Sequence, residues 1–188
     1  MTRITWTKMT ITLSKTNLNL MEDCERCFYL DVVKGVKRPF GIMAGIVMKM
    51  DSIIKHYFDK YRNLNQLPPI IDGKLKGKLP KNMPKALYYK YNENVKVTGK
   101  PDDYFELEDG SIVALDHKTK SKAPEETHPA YDLQMNVYAY LLAKNNYKTT
   151  NKGYLAYYFP DDCDLHNGMD LHCEVVEVKT SIEKLKNL

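Results

Sequence analysis

Between residues 95 and 121 the spacing of apolar residues changes to a period of two, and this stretch, VKVTGKPDDYFELEDGSIVALDHKTKS, constrains the fold more than any other part of the chain. It predicts a strand near 95–107, a turn at Asp109-Gly110 and a second strand near 111–118. Asp-Gly between two β-rich runs is a favoured hairpin signal. A hairpin cannot bury its own faces, so the flanking segments must supply the cover.

Those segments are mostly helical in pattern. Residues 14–33 begin at a Ser14 or Thr16 N-cap and carry Leu18, Leu20, Met21, Phe28, Leu30 and Val33, a short helix with a break near Asp23. Residues 44–62 repeat Ile46, Val47, Met50, Ile53, Ile54, Tyr57, Phe58 and Tyr61 at helical spacing, with Lys and Arg on the other face. The stretch 63–82 holds Pro68, Pro69, Gly73, Gly77 and Pro80 and reads as a surface loop. After the hairpin, PAYDLQMNVYAYLLAK (129–144) predicts a second amphipathic helix with Pro129 near its first turn. Strands follow at 153–160 and 171–179, joined by the polar loop DDCDLHNGMD, and 181–188 reads as a terminal helix. The expected class is mixed α+β (α/β) in a single domain spanning 1–188, a central mixed sheet flanked by helices.

Composition narrows the partners. Net charge is +4 and the pI is near 8.7, a mild lean towards polyanions. Lysines cluster at Lys74, Lys76, Lys78 and Lys81 and again at Lys118, Lys120 and Lys122. The first cluster reads equally as solvated loop or as a groove that tracks a nucleic-acid backbone. No apolar run approaches the roughly 20 residues of a membrane span, and the N-terminus alternates polar and apolar residues without a signal-peptide core. A cytoplasmic, membrane-free protein is the expectation.

The chemistry concentrates in the hairpin. Asp116 and Lys118 are two apart in a strand and share a face, while Val113 and Leu115 point the other way. By itself such a triplet is most often a surface ion pair of little worth. Asp102, however, lies as far from the turn on one strand as Asp116 does on the other, so the two acids face each other. Opposed carboxylates repel unless a cation neutralises them. Oxygen ligands of this kind suit Mg²⁺ or Mn²⁺, with the carbonyl of His117 able to complete the shell and its side chain directed to the opposite face. Lys118 then stands beside the metal-bound water that attacks a phosphodiester. Asp102, Asp116 and Lys118 are the candidate catalytic residues.

GKPD (99–102), a short hairpin and ALDHKT (114–119) resemble the PD-(D/E)xK nuclease superfamily, and Gln134 with Tyr138 matches the Q-x-x-x-Y element of its RecB-like branch. That branch includes CRISPR-adaptation nucleases with iron–sulfur clusters. The resemblance covers roughly residues 14–160. It implies a restriction-endonuclease-like core, metal-dependent hydrolysis of DNA at single-stranded segments or ends, and substrate contacts from Gln134 and Tyr138, with Lys120 as a further candidate. A nucleic-acid-binding module that has lost catalysis is the rival. No helicase motif is present, so unwinding would fall to a partner.

The pattern departs from the family in two places. No His stands on the early helix where the branch places a metal ligand; Asp51 there is either a third carboxylate or an ordinary partner of Lys55. His56 falls on the solvated face. Cys24, Cys27, Cys163 and Cys173 could bind a [4Fe–4S] cluster or Zn²⁺, the latter with His166 and His172. Alternatively Cys24 and Cys27 are small buried hydrophobes, with Cys163 a loop thiol.

Overall fold

A computed structural model describes residues 10–39, 41, 45–164 and 167–183. The elements run β1 (Ile11–Leu13), α1 (Lys15–Asp23), α2 (Glu25–Phe28), a π-helical turn (Tyr29–Val33), α3 (Gly45–Leu64), β2 (Gly77–Lys78), β3 (Leu87–Lys90), β4 (Val95–Gly99), β5 (Asp103–Leu107), β6 (Ile112–Thr119), α4 (Pro129–Lys144), β7 (Lys152–Pro160) and β8 (Leu171–Lys179). They form a three-stranded sheet of order β1-β4-β3 and a five-stranded sheet of order β2-β5-β6-β7-β8.

The hairpin is present, but its first arm is not one strand. Leu107 and Ser111 close the turn through a backbone hydrogen bond of 2.9 Å, and Gly110 takes a positive φ of 78°. Going back from the turn, β5 ends at Asp103; Lys100-Pro101-Asp102 then carries the chain out of the larger sheet, and β4 pairs with β3 and β1 instead. Proline has no N–H to give to a ladder, which breaks the expected 95–107 strand at this point. Sequence periodicity alone does not reveal which sheet each half joins.

Strand β6 is the middle of the larger sheet, antiparallel to β5 and parallel to β7. Parallel neighbours need a crossover, and α4 supplies it. One face of β6 presents Val113 and Leu115 to Ile54 and Phe58 of α3, together with Ala156 and Tyr158 of β7. The other presents Ala114 to Met135 and Tyr138 of α4, together with Leu155 and Tyr157. A strand covered on both faces reads as a continuous apolar run rather than an alternating one, which is why IVAL precedes Asp116.

Helix α4 departs from its expected amphipathic form. Every residue from Gln134 to Leu142 is buried, because the helix lies between the two sheets and also meets α1. A helix apolar all round belongs in such a place. Its start follows expectation: Pro129 sits in the first turn, and His128 caps it by accepting from the Ala130 N–H at 3.2 Å. In α3 the core contacts gather in its middle, at Met50, Ile54, Tyr57 and Phe58. Ile46, Val47 and Ile53, expected in the apolar stripe, are exposed. The early helix breaks at Cys24, as the sequence suggests near Asp23. The expected helix at 181–188 lies largely outside the described residues; 181–183 are not helical.

Gly99, at the end of β4, sets how closely α4 approaches. A Cβ there would stand 2.7 Å from Cδ1 of Leu141 and 3.1 Å from Cδ1 of Tyr138. Gly99→Val is therefore expected to lower stability by about 1–3 kcal/mol, the usual cost of overpacking, read as a fall in the urea unfolding midpoint. An unchanged midpoint would contradict this tight contact.

Candidate active site

The β5–β6 register pairs Asp103 with Leu115, so Asp102 falls next to Asp116, one step beyond the end of β5. Asp102 does not continue the ladder; its Oδ2 accepts from the His117 backbone N–H at 3.1 Å. This side-chain bond fixes its carboxylate at the open end of β6.

Asp116 is only 1% exposed. Its Oδ1 accepts from Gln134 Nε2. The Lys118 ammonium lies against Oδ2 as a close ion pair. Burial raises the carboxyl above its ordinary range, and the Asp102 charge adds to this; Lys118 opposes both. A buried carboxylate that faces a second carboxylate, and stays raised despite its lysine partner, is an environment that favours a bound cation.

Gln134 and Tyr138, one turn apart on α4, tie this centre together. Gln134 Nε2 also donates to the Tyr138 hydroxyl at 3.0 Å, and Gln134 Oε1 accepts from Lys118 Nζ at 3.2 Å. The Tyr138 hydroxyl donates to the Lys100 carbonyl at 3.0 Å. Burial, then the Asp116 charge, keep this phenol protonated far above its ordinary range. One amide thus bridges Asp116, Lys118 and Tyr138, and Tyr138 holds the strand break that carries Asp102. Both side chains are buried, 1% and 2% exposed.

The opposite face of the strand carries a second network. The His117 ring packs on Phe58, its Nε2 lies 3.1 Å from Asp103 Oδ2, and its Nδ1 is 3.0 Å from the Tyr158 hydroxyl. Asp103 is also ion-paired with Arg62 of α3, which is paired with Asp59. His117 is thus a packing residue, as the strand period predicts. Asp103, Asp59 and Arg62 were not singled out from sequence. Alternation offered a signal, since Asp103 shares its face with Leu115 and His117, but the Arg62 partner is 41 residues away.

These elements enclose a cleft of about 810 Å³. Its walls include Asp51, Lys55 and Arg62 from α3, Lys81 and Lys85 from the loop before β3, and Lys15 from α1, with Asp102, Asp116, Lys118 and Tyr138 at its base. Asp51 is exposed on that wall. Of the first lysine cluster only Lys81 lines the cleft; Lys78 pairs with Glu106 at 3.1 Å, and Lys74 reaches the carbonyls of Ile70 and Cys173. Lys120 lies outside the cleft lining, over the rings of Tyr131 and Tyr157. His56 is exposed, its Nδ1 against the Ser52 carbonyl.

A cysteine-held cluster or zinc site finds no support. Among the described residues no three His, Cys, Asp or Glu side chains are grouped so as to hold a metal ion. Cys173 is buried in the α3-side core, Cys163 is exposed, and Cys24 Sγ accepts from the Cys27 N–H at 3.3 Å as a helix cap. His172 pairs with Asp161 at 3.1 Å, and His166 lies outside the described residues. The four thiols are thus spread between core, loop and helix cap. No described helix is long and apolar enough to cross a membrane.

A mixed sheet between helices that brings two acids and a lysine to one cleft defines the restriction-endonuclease-like class. A family model described as the PD-(D/E)XK nuclease superfamily matches residues 51–187, and the chain belongs to that superfamily. Among solved structures, the crystal structure of SSO0001 is similar at a TM-score of 0.51 and 12% identity, over 97% of this chain and 74% of that one; this likeness speaks for the fold alone. No curated protein matches.

The raised Asp116 carboxyl has a measurable consequence. Its charged form is disfavoured in the fold, so the penalty is full at pH values above the raised pKa and fades as pH falls to the ordinary 3.8, where folded and unfolded chains are both protonated. In EDTA at neutral pH, Asp116→Asn is expected to raise Tm by about 2–4 °C, the shift that roughly 1 kcal/mol gives in a chain of this size. This advantage should shrink towards pH 4. A variant less stable at pH 7, or an advantage that grows in acid, contradicts the electrostatic account.

Proposed function

We propose that this chain is a metal-dependent nuclease that hydrolyses phosphodiester bonds of DNA, acting at single-stranded segments or ends. The observation that carries this reading is the buried Asp116 carboxylate facing Asp102, its carboxyl held above the ordinary range although Lys118 pairs with it. Asp102 and Asp116 would hold Mg²⁺ or Mn²⁺, with the His117 carbonyl as a further oxygen and Asp51 as a more distant acidic candidate on the cleft wall. Bound there, the ion supplies Lewis acidity and a more acidic water. Lys118, held by Asp116 and Gln134, orients the attacking water and balances charge growing on the phosphate.

Gln134 and Tyr138 take a positioning role in this proposal: their polar atoms point at Asp116, Lys118 and the Lys100 carbonyl. A contact to the substrate from the cleft-lining Tyr138 would add to that role. The same pair supports placement in the RecB-like branch. A cleft edged by Lys55, Lys81, Lys85 and Lys100 suits a polyanionic strand. Any helicase, recombination or CRISPR-adaptation partner is left to the same test of substrate.

The test is cleavage of labelled single- and double-stranded DNA in Mg²⁺ or Mn²⁺. Asp116→Ala and Lys118→Ala are each expected to lower the rate by ~10²-fold or more, and EDTA to abolish it. Cleavage that survives both substitutions overturns the proposal. DNA bound by the unaltered protein but never cut would favour the binding module.

A further inference from the structure

Lys15 is unusual on three counts. It opens α1, directly after Ser14, whose hydroxyl accepts from the Asn17 N–H and whose own N–H donates to Asn17 Oδ1 at 2.9 Å. A helix N-terminus carries partial positive charge, so a cation in the first turn is disfavoured there. Next, Lys15 is partly buried and lines the cleft with Asp102, Asp116 and Lys118. It also has no hydrogen bond or ion pair among the described residues, unlike Lys118.

The electrostatics sharpen the point. Burial lowers the Lys15 ammonium from its ordinary range and Lys118 adds to this, while Asp116 and Asp102 pull it back up. Among the described residues, the charges that favour a protonated Lys15 are the two carboxylates already assigned to a cation. Nothing in the packing of α1 calls for a lysine here: the helix is anchored through Leu18 and Met21 in the core. An unpaired, half-buried cation at the wrong end of a helix, aimed into a cleft, is stabilised by an anion arriving from solvent.

Resting on the nuclease reading above, we propose that Lys15 is a substrate-binding residue that holds a backbone phosphate of the nucleic-acid strand in the cleft, on the α1 side of the Asp102–Asp116–Lys118 centre. It forms one wall of the phosphate path, and Lys55 and Lys81 edge the rest. The occupant is the polyanionic backbone, because the group offered is an ammonium, a compact point charge that suits phosphate oxygens.

The experiment uses the cleavage-disabled Asp116→Asn protein in EDTA, with binding of a fluorescein-labelled single-stranded oligonucleotide followed by anisotropy across a salt series. Adding Lys15→Gln is expected to weaken binding about fivefold or more at low salt, and to flatten the slope of log K against log[salt] by ~0.7, the release of one counterion from a single strand. Lys15→Arg is expected to retain the slope, and Lys179→Gln, on an exposed position of β8 away from the cleft, to change neither quantity. A folded Lys15→Gln protein with unchanged affinity and slope overturns the proposal, as does an equal loss from Lys179→Gln. If the Asp116→Asn protein binds no oligonucleotide at all, the nuclease reading falls with it; binding that ignores Lys15 sinks this inference alone.

Discussion

The arrangement depends on the burial of one carboxylate. Asp116 ends an apolar run in the central strand, with α4 laid across it and a second acid placed opposite by the hairpin. Taking a carboxylate out of water is costly unless it is hydrogen-bonded or paired. Here the compensation is incomplete: Gln134 bonds one oxygen and Lys118 pairs with the other, yet burial and the Asp102 charge still hold the carboxyl above its ordinary range. The site is therefore held under electrostatic tension that a divalent ion would relieve, and the surrounding packing exists to prevent relief by movement.

That packing works from both faces of β6. Towards α4, the Gln134–Tyr138 pair fixes Asp116, Lys118 and the backbone at Lys100 in one hydrogen-bonded unit. Towards α3, His117 is wedged against Phe58 and tied to Asp103 and Tyr158, while Arg62 joins Asp103 to α3. Consecutive residues Asp102 and Asp103 thus serve opposite faces, the first at the cleft and the second in the brace behind it. Buried networks of this kind rigidify a structure when their members are satisfied. Their use here is to hold the centre open, with the cleft wall of α3 anchored through Arg62.

Much of this was legible in the sequence because it rests on local rules. Asp109-Gly110 announced the hairpin, equal distances from the turn put Asp102 opposite Asp116, and two-residue periodicity sent His117 away from both. Helical spacing put Gln134 and Tyr138 on one face. What stayed hidden depends on tertiary neighbours. The split at Lys100-Pro101-Asp102, the short strands β1 and β3, and the burial of α4 all round follow from a second sheet whose pairing has no local signature, and the two-residue β2 exists only through its pairing with β5. Lys15 and Arg62 are far from the hairpin in the chain, and nothing in their own segments marks them as facing it. The cysteines show the converse, since spacing that permits a metal site says nothing about whether folding brings the thiols together.

Diffraction from a crystal soaked in Mn²⁺ addresses the central claim most directly, because the anomalous signal locates the ion without reference to activity. The account predicts a peak between the carboxylates of Asp102 and Asp116, within ligand distance of Asp116 Oδ2 and beside Lys118. A fully soaked crystal with no peak there, or with manganese bound elsewhere while Asp116 keeps its Lys118 and Gln134 contacts, would contradict it.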